Sequence, residues 1–133
     1  MASEAFLQGI KEFNQGEFYA CHDTLEAIWI DSAESDKRFY QGVLQVAVGC
    51  YHLENHNWRG AVILLGEGVR RLVDYQPEYE TIDVTKLLAE SQALLLYLQQ
   101  TDPENIAEVA QTLKESSDNA PCSLPHIVIL NKS

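Results

Sequence analysis

A chain of 133 residues that is 46% hydrophobic is long enough to bury one core and too apolar to stay disordered. Nine basic residues against twenty acidic ones leave a formal net charge of -11. That balance lacks the basic stripe that nucleic acid or an anionic membrane demands, so neither is expected as a partner.

Three cysteines, Cys21, Cys50 and Cys122, share no repeated short spacing, which fits neither a disulfide framework nor a zinc finger. The opening Met1-Ala2-Ser3-Glu4 shows no basic leader followed by an apolar run, and no apolar segment is long enough to span a membrane. A cytoplasmic protein is the expectation. Helical periodicity recurs along the chain and predicts an all-α fold, a compact bundle of about six helices built from antiparallel helical hairpins. One domain is expected over residues 1–115, with a loop and tail over residues 116–133.

Ser3 caps a first predicted helix in which Phe6, Leu7, Ile10 and Phe13 recur at helical spacing, and Gly16 supplies its stop. Glu17 opens the second. At about 100° per residue, Phe18, His22, Leu25, Glu26 and Trp29 fall on one face, which is expected to point inward with two ionisable groups on it. Buried ionisable groups need partners.

The third helix is predicted from about Asp36 to Glu54. It is apolar on nearly all sides, as a central helix should be, except that Arg38, Gln41, Gln45 and His52 form one polar stripe. Such a stripe must face another polar stripe or a wet cavity, and His22 with Glu26 is the partner expected. Asn55 or Asn57 caps a fourth helix carrying Trp58, Ala61, Val62, Leu65, Val69 and Leu72 inward, with Gly60, Gly66 and Gly68 suggesting close helix contacts. Tyr75 to Thr81 reads as a linker. Asp83 starts a fifth helix, and Asp102-Pro103-Glu104 starts a sixth. The stretch Ser116 to Pro125 is loop-like, and the apolar run His126-Ile127-Val128-Ile129-Leu130 is expected to pack back on the bundle or onto a neighbouring subunit. A weak echo relates Phe6, Gly9, Phe13 and Phe18 to Val46, Gly49, Leu53 and Trp58. The length of this unit is weakly tetratricopeptide-like and suggests two stacked helical hairpins.

The stretches Phe13 to Trp29, Arg38 to Ala47, Tyr51-His52 and Asn57 to Ala61 together resemble the domain-of-unknown-function 309 family, over about Phe6 to Tyr75. The resemblance implies a small all-helical protein of bacteria, archaea or plastids with no established biochemical role. Asp23 stands where that family usually shows Glu.

Three readings of the polar residues stay open. In the first, the network is closed and structural, with Arg38 paired to Glu26 and the glutamines satisfying the imidazoles. In the second, His22, Glu26, Trp29, Arg38, Tyr40, Gln41, Gln45 and His52 line a buried pocket for a small polar or anionic ligand, anchored by Arg38. If that pocket catalyses, His22 accepts the proton and Glu26 orients it. In the third, the His-Asp-x-x-Glu helix binds a metal ion through His22 and Glu26, with His52 completing the set. No other cofactor is indicated. A rival from another class is a protein-interaction module that grips a partner with its helical hairpins while the polar stripe is structural. A homodimer is a further expectation, from the apolar tail and the Gly-rich fourth helix.

Overall fold

The computed structural model describes residues 3–115, 120 and 122–130. Five helices follow one another as antiparallel neighbours: α1 (Glu4–Asn14), α2 (Phe18–Asp31), α3 (Glu34–Glu54), α4 (Trp58–Leu72) and α5 (Val84–Gln99), with α6 (Ile106–Lys114) after them. Helix α3 is central: α2 and α4 flank it, α6 touches it, α1 packs on α2 and α5 on α4. The fold is all-α, as its periodicity predicts. Local signals fix the helix ends. Ser3 Oγ accepts from Phe6 N (3.1 Å), Asn57 Oδ1 from Gly60 N (3.0 Å) and Asp83 Oδ1 from Lys86 N (2.9 Å), each satisfying one of the free amides of a helix start. After α1, Gly16 takes a left-handed turn at φ 77°.

Helices α3 and α4 lie unusually close. A Cβ on Gly68 would stand 2.8 Å from Val46 Cγ2 and 2.9 Å from the Gly42 carbonyl oxygen, and one on Gly49 would stand 2.8 Å from Leu65 Cγ. Of the glycines expected to mark close contacts, Gly68 does so between helices. Gly60 does so as well, against His52 on α3, besides abutting Asn57, while Gly66 is only in ordinary contact with Leu95. The core gathers on this hairpin: Phe6, Phe13, Phe18, Leu25, Phe39, Leu53, Leu65 and Leu72 are all essentially excluded from solvent.

One segment differs from expectation and another agrees with it. The predicted linker at Tyr75–Thr81 contains half of a hairpin, with β1 (Glu78–Tyr79) antiparallel to β2 (Ile82–Asp83) in the register Glu78 to Asp83 and Tyr79 to Ile82. Its two turn residues, Glu80 and Thr81, have φ of 48° and 65°, the left-handed conformation usually supplied by Asn-Gly, so the sequence carries no turn signal there. Tertiary contacts hold it instead: the Tyr79 hydroxyl donates to Asp36 and Tyr40 bonds Glu80. The apolar run at 126–130 packs back on the bundle, with Ile127 buried and Ile129 in an antiparallel bridge with Ile82. Among the described residues, no helix is long and apolar enough to cross a membrane.

Candidate functional site

Helix α2 buries Phe18, Cys21 and Leu25. Its inward direction is therefore rotated by roughly 60° from the one through Phe18, His22 and Trp29. This rotation carries His22 and Glu26 to the edge of the helix, with their side chains 35% and 47% exposed. The expectation that both are buried is corrected: Cys21, with Phe18 and Leu25, outvotes the bulk of Trp29, which stays half-buried beneath Lys37 (5.9 Å from Nζ to the ring centroid).

The polar stripe of α3 also faces elsewhere. It meets α4 along its whole length. Arg38 Nε lies 3.9 Å from Asp74 Oδ2. Two turns on, Gln45 Nε2 donates to Glu67 Oε2 (3.0 Å) while Arg71 Nη1 donates to Gln45 Oε1 (3.0 Å), and at the far end His52 Nδ1 is 3.2 Å from Asn57 Nδ2. An antiparallel hairpin produces this pairing in order, and Gln41 sits half-buried within it. The matching stripe is Asn57, Glu67, Arg71 and Asp74, which sequence reading missed, although Glu67 and Arg71 stand at the i, i+4 spacing that marks a pair. Arg38 does not pair with Glu26. From Arg38 to His52 the helix rises roughly 21 Å at 1.5 Å per residue, so residues sharing an azimuth do not share a site.

Tyr40 lines a cleft with Ser3, Thr24, Ile28 and Asp36, not one with His22 or His52. It is buried against Phe6 and Phe39, both at ring-centroid separations of 5.2 Å. Burial first, then the charges of Glu80 and Asp36, push its hydroxyl up to about 12. A further polar site went unread: Glu12 is buried and accepts from Thr24 Oγ1 (2.7 Å) and Gln8 Nε2 (3.2 Å).

Two of the expected site residues do come together. His22 and His52 line one cavity of about 150 Å³ between α2 and α3, with Tyr19, Val48 and Tyr51 as its other walls. The rings form a chain around it: His22 to Tyr19 at 6.1 Å, Tyr19 to Tyr51 at 5.5 Å and Tyr51 to His52 at 6.2 Å between centroids. Its lining is almost wholly apolar, so ring carbons rather than polar atoms meet whatever enters. Both nitrogens of His22 point away to carboxylates, Nδ1 to Asp23 Oδ1 at 3.2 Å and Nε2 to Glu26 Oε2 at 3.1 Å. The reading missed Tyr19, Val48 and Tyr51 because it took α2's exposed edge for its core face; the i, i+3 pair of Tyr19 with His22 was the available signal.

Two expectations gain no support from this geometry. An anionic ligand was to be anchored by Arg38, which lies beside Asp74. Of the proposed metal set, His22 stands between Asp23 and Glu26 while His52 Nδ1 faces Asn57 Nδ2; among the described residues, no group of three or more His, Cys, Asp or Glu side chains is arranged to hold a metal ion.

Comparison with known proteins agrees with the resemblance read from the sequence. The family model of DUF309, a domain of unknown function, matches residues 6–64, a span that contains all five residues lining the cavity. The chain is similar to the uncharacterised protein YpuF of Bacillus subtilis (strain 168), at 30% identity over 112 residues. That match covers 83% of this chain but only 61% of the relative's length. No solved structure matches significantly.

Proposed function

We propose, for a chain whose residues 6–64 match a domain of unknown function, that the cavity between α2 and α3 is a binding site for an alkylammonium group, either on a small molecule or on a lysine-like side chain of a partner. One observation carries the reading: four rings, those of Tyr19, His22, Tyr51 and His52, surround a single cavity of about 150 Å³. Tyrosine faces such as those of Tyr19 and Tyr51 attract cations through their quadrupoles, with the two imidazoles as further walls, and aromatic cages suit ammonium groups with methyl substituents. The volume equals that of roughly five water molecules at about 30 Å³ each, enough for a nitrogen and four carbons. Asp23 and Glu26 stand beside His22, and a net charge of -11 draws cations toward the surface.

Binding is favoured over catalysis at this site by the state of His22. A proton acceptor needs a free ring nitrogen within reach of the substrate, and both nitrogens of His22 are turned to carboxylates. A titration calorimetry experiment with tetramethylammonium chloride tests the proposal. The native chain binds, and Tyr51→Ala, which opens one wall, weakens binding at least tenfold with its helical circular dichroism retained. Equal binding by the native chain and the variant, or no binding by the native chain, contradicts it.

A further inference from the structure

The described segment Leu124–Leu130 is held in the way proteins hold foreign peptides. The side-chain amide of Asn14 reads both sides of one residue: Ile127 N donates to Asn14 Oδ1 (2.7 Å), and Asn14 Nδ2 donates to the Ile127 carbonyl (2.9 Å). The hairpin reads the next residues, since Asp83 N donates to the Val128 carbonyl (2.9 Å) and Leu130 N to the Thr81 carbonyl (2.7 Å). Glu90 Oε1 accepts from His126 N (2.9 Å). Five backbone hydrogen bonds and one buried apolar anchor, Ile127 at 3% exposure, are the elements of strand addition to a sheet edge. Everything that grips the segment in these bonds, Asn14, Thr81, Asp83 and Glu90, comes from earlier elements of the fold and contacts its main chain. The grip therefore does not distinguish the chain's own segment from the identical one of another copy. Beside that anchor, Val128 and Ile129 are 36% and 42% exposed, leaving large apolar side chains partly uncovered in a single copy.

We infer that this groove is an interaction site for a second copy of the chain, which inserts its own residues 124–130 in place of the resident segment, so that two copies exchange them. Exchange of an identical element keeps every contact and needs no new surface. A tethered segment competes at an effective concentration in the millimolar range, so the test must weaken the resident segment without removing the groove. Two full-length variants do this in complementary ways. Ile127→Asp loses the anchor but keeps Asn14 and the hairpin edge; Asn14→Leu keeps the segment but loses two of the five bonds that hold it.

The expected result by light scattering is that Ile127→Asp alone has the mass of one chain, 15.0 kDa, and that an equimolar mixture with Asn14→Leu contains a one-to-one complex of twice that mass. A mixture in which both variants keep their helical circular dichroism and stay single chains overturns the inference. So does a complex formed equally well by Ile127→Asp alone, which places the interface elsewhere. If either variant loses its helical signal, the pair Asn14→Ala and Ile127→Ala replaces it, judged by the same two outcomes.

Discussion

Ser91 shows how a single residue departs from what its helix prefers. It is wholly buried on α5, and among the described residues its hydroxyl has no hydrogen-bond partner. Burying an unpaired hydroxyl costs about 1–3 kcal/mol in mutational data, and Ala is also the better helix former. Ser91→Ala is therefore expected to stabilise the chain by about 1 kcal/mol or more, read as a rise in the urea midpoint with an unchanged slope; a fall of similar size contradicts this account of the site. Residues of this kind are not legible in a sequence, because a serine in an apolar helix looks the same with or without a partner. His22 is the opposite case. Its i, i+4 pairing with Glu26 was legible, but its second partner was not: Asp23 takes the other ring nitrogen, while Gln45, expected to satisfy an imidazole, turns to Glu67 and Arg71.

Single helices were read well and their mutual rotation was not. Ser3, Asn57 and Asp83 cap α1, α4 and α5 as their types predict, because capping is decided within four residues. Which face of α2 turns inward is decided by packing against α1 and α3, and there Cys21 outweighed Trp29. The polar stripe of α3 was identified correctly and matched to the wrong helix. Its true partner on α4 follows from hairpin connectivity: only the short turn Asn55–Asn57 joins the two helices, which obliges them to run antiparallel side by side. The approach of α3 to α4 yields a prediction at this scale. Gly68→Ala gains helix propensity worth about 1 kcal/mol but drives a methyl group to 2.8 Å from Val46 Cγ2 and 2.9 Å from the Gly42 carbonyl oxygen. Overpacking of this sort costs about 1–3 kcal/mol, and because one obstacle is backbone the net effect is expected to be destabilising. A chemical denaturation midpoint at or above that of the native chain contradicts it.

At the scale of the whole molecule, the hairpin ties the N-terminal end of α3 to the rest of the fold through two tyrosines. Tyr40 is pushed up to about 12 by burial and then by Glu80 and Asp36, and Tyr79 to about 12, chiefly by its hydrogen bond to Asp36. In the unfolded chain these hydroxyls ionise near 10. Since the folded state holds its protons longer, the stability they contribute is complete below pH of about 10 and is lost as pH rises toward about 12. Alkaline unfolding in that window is the expected outcome, with tyrosinate absorbance and loss of helical signal appearing together. Tyr40→Phe, which cannot ionise, is expected to flatten the pH dependence; an identical alkaline transition in the variant contradicts the role given to Tyr40. None of this hairpin was legible, since its turn conformation is imposed by contacts between residues forty or more positions apart, Tyr79 with Asp36 and Tyr40 with Glu80.

The central claim concerns the four rings between α2 and α3, and cation selectivity tests it most directly. The measurement is a carbon–proton correlation spectrum of the aromatic side chains during titration with tetramethylammonium, repeated with tert-butanol as a neutral group of similar shape. The account predicts saturable shifts of Tyr19, Tyr51, His22 and His52 with the cation and far weaker ones with the alcohol, because quadrupole attraction requires charge. Shifts of equal size with both would make the cavity an unselective apolar cleft. Shifts confined to other residues would place cation binding outside it.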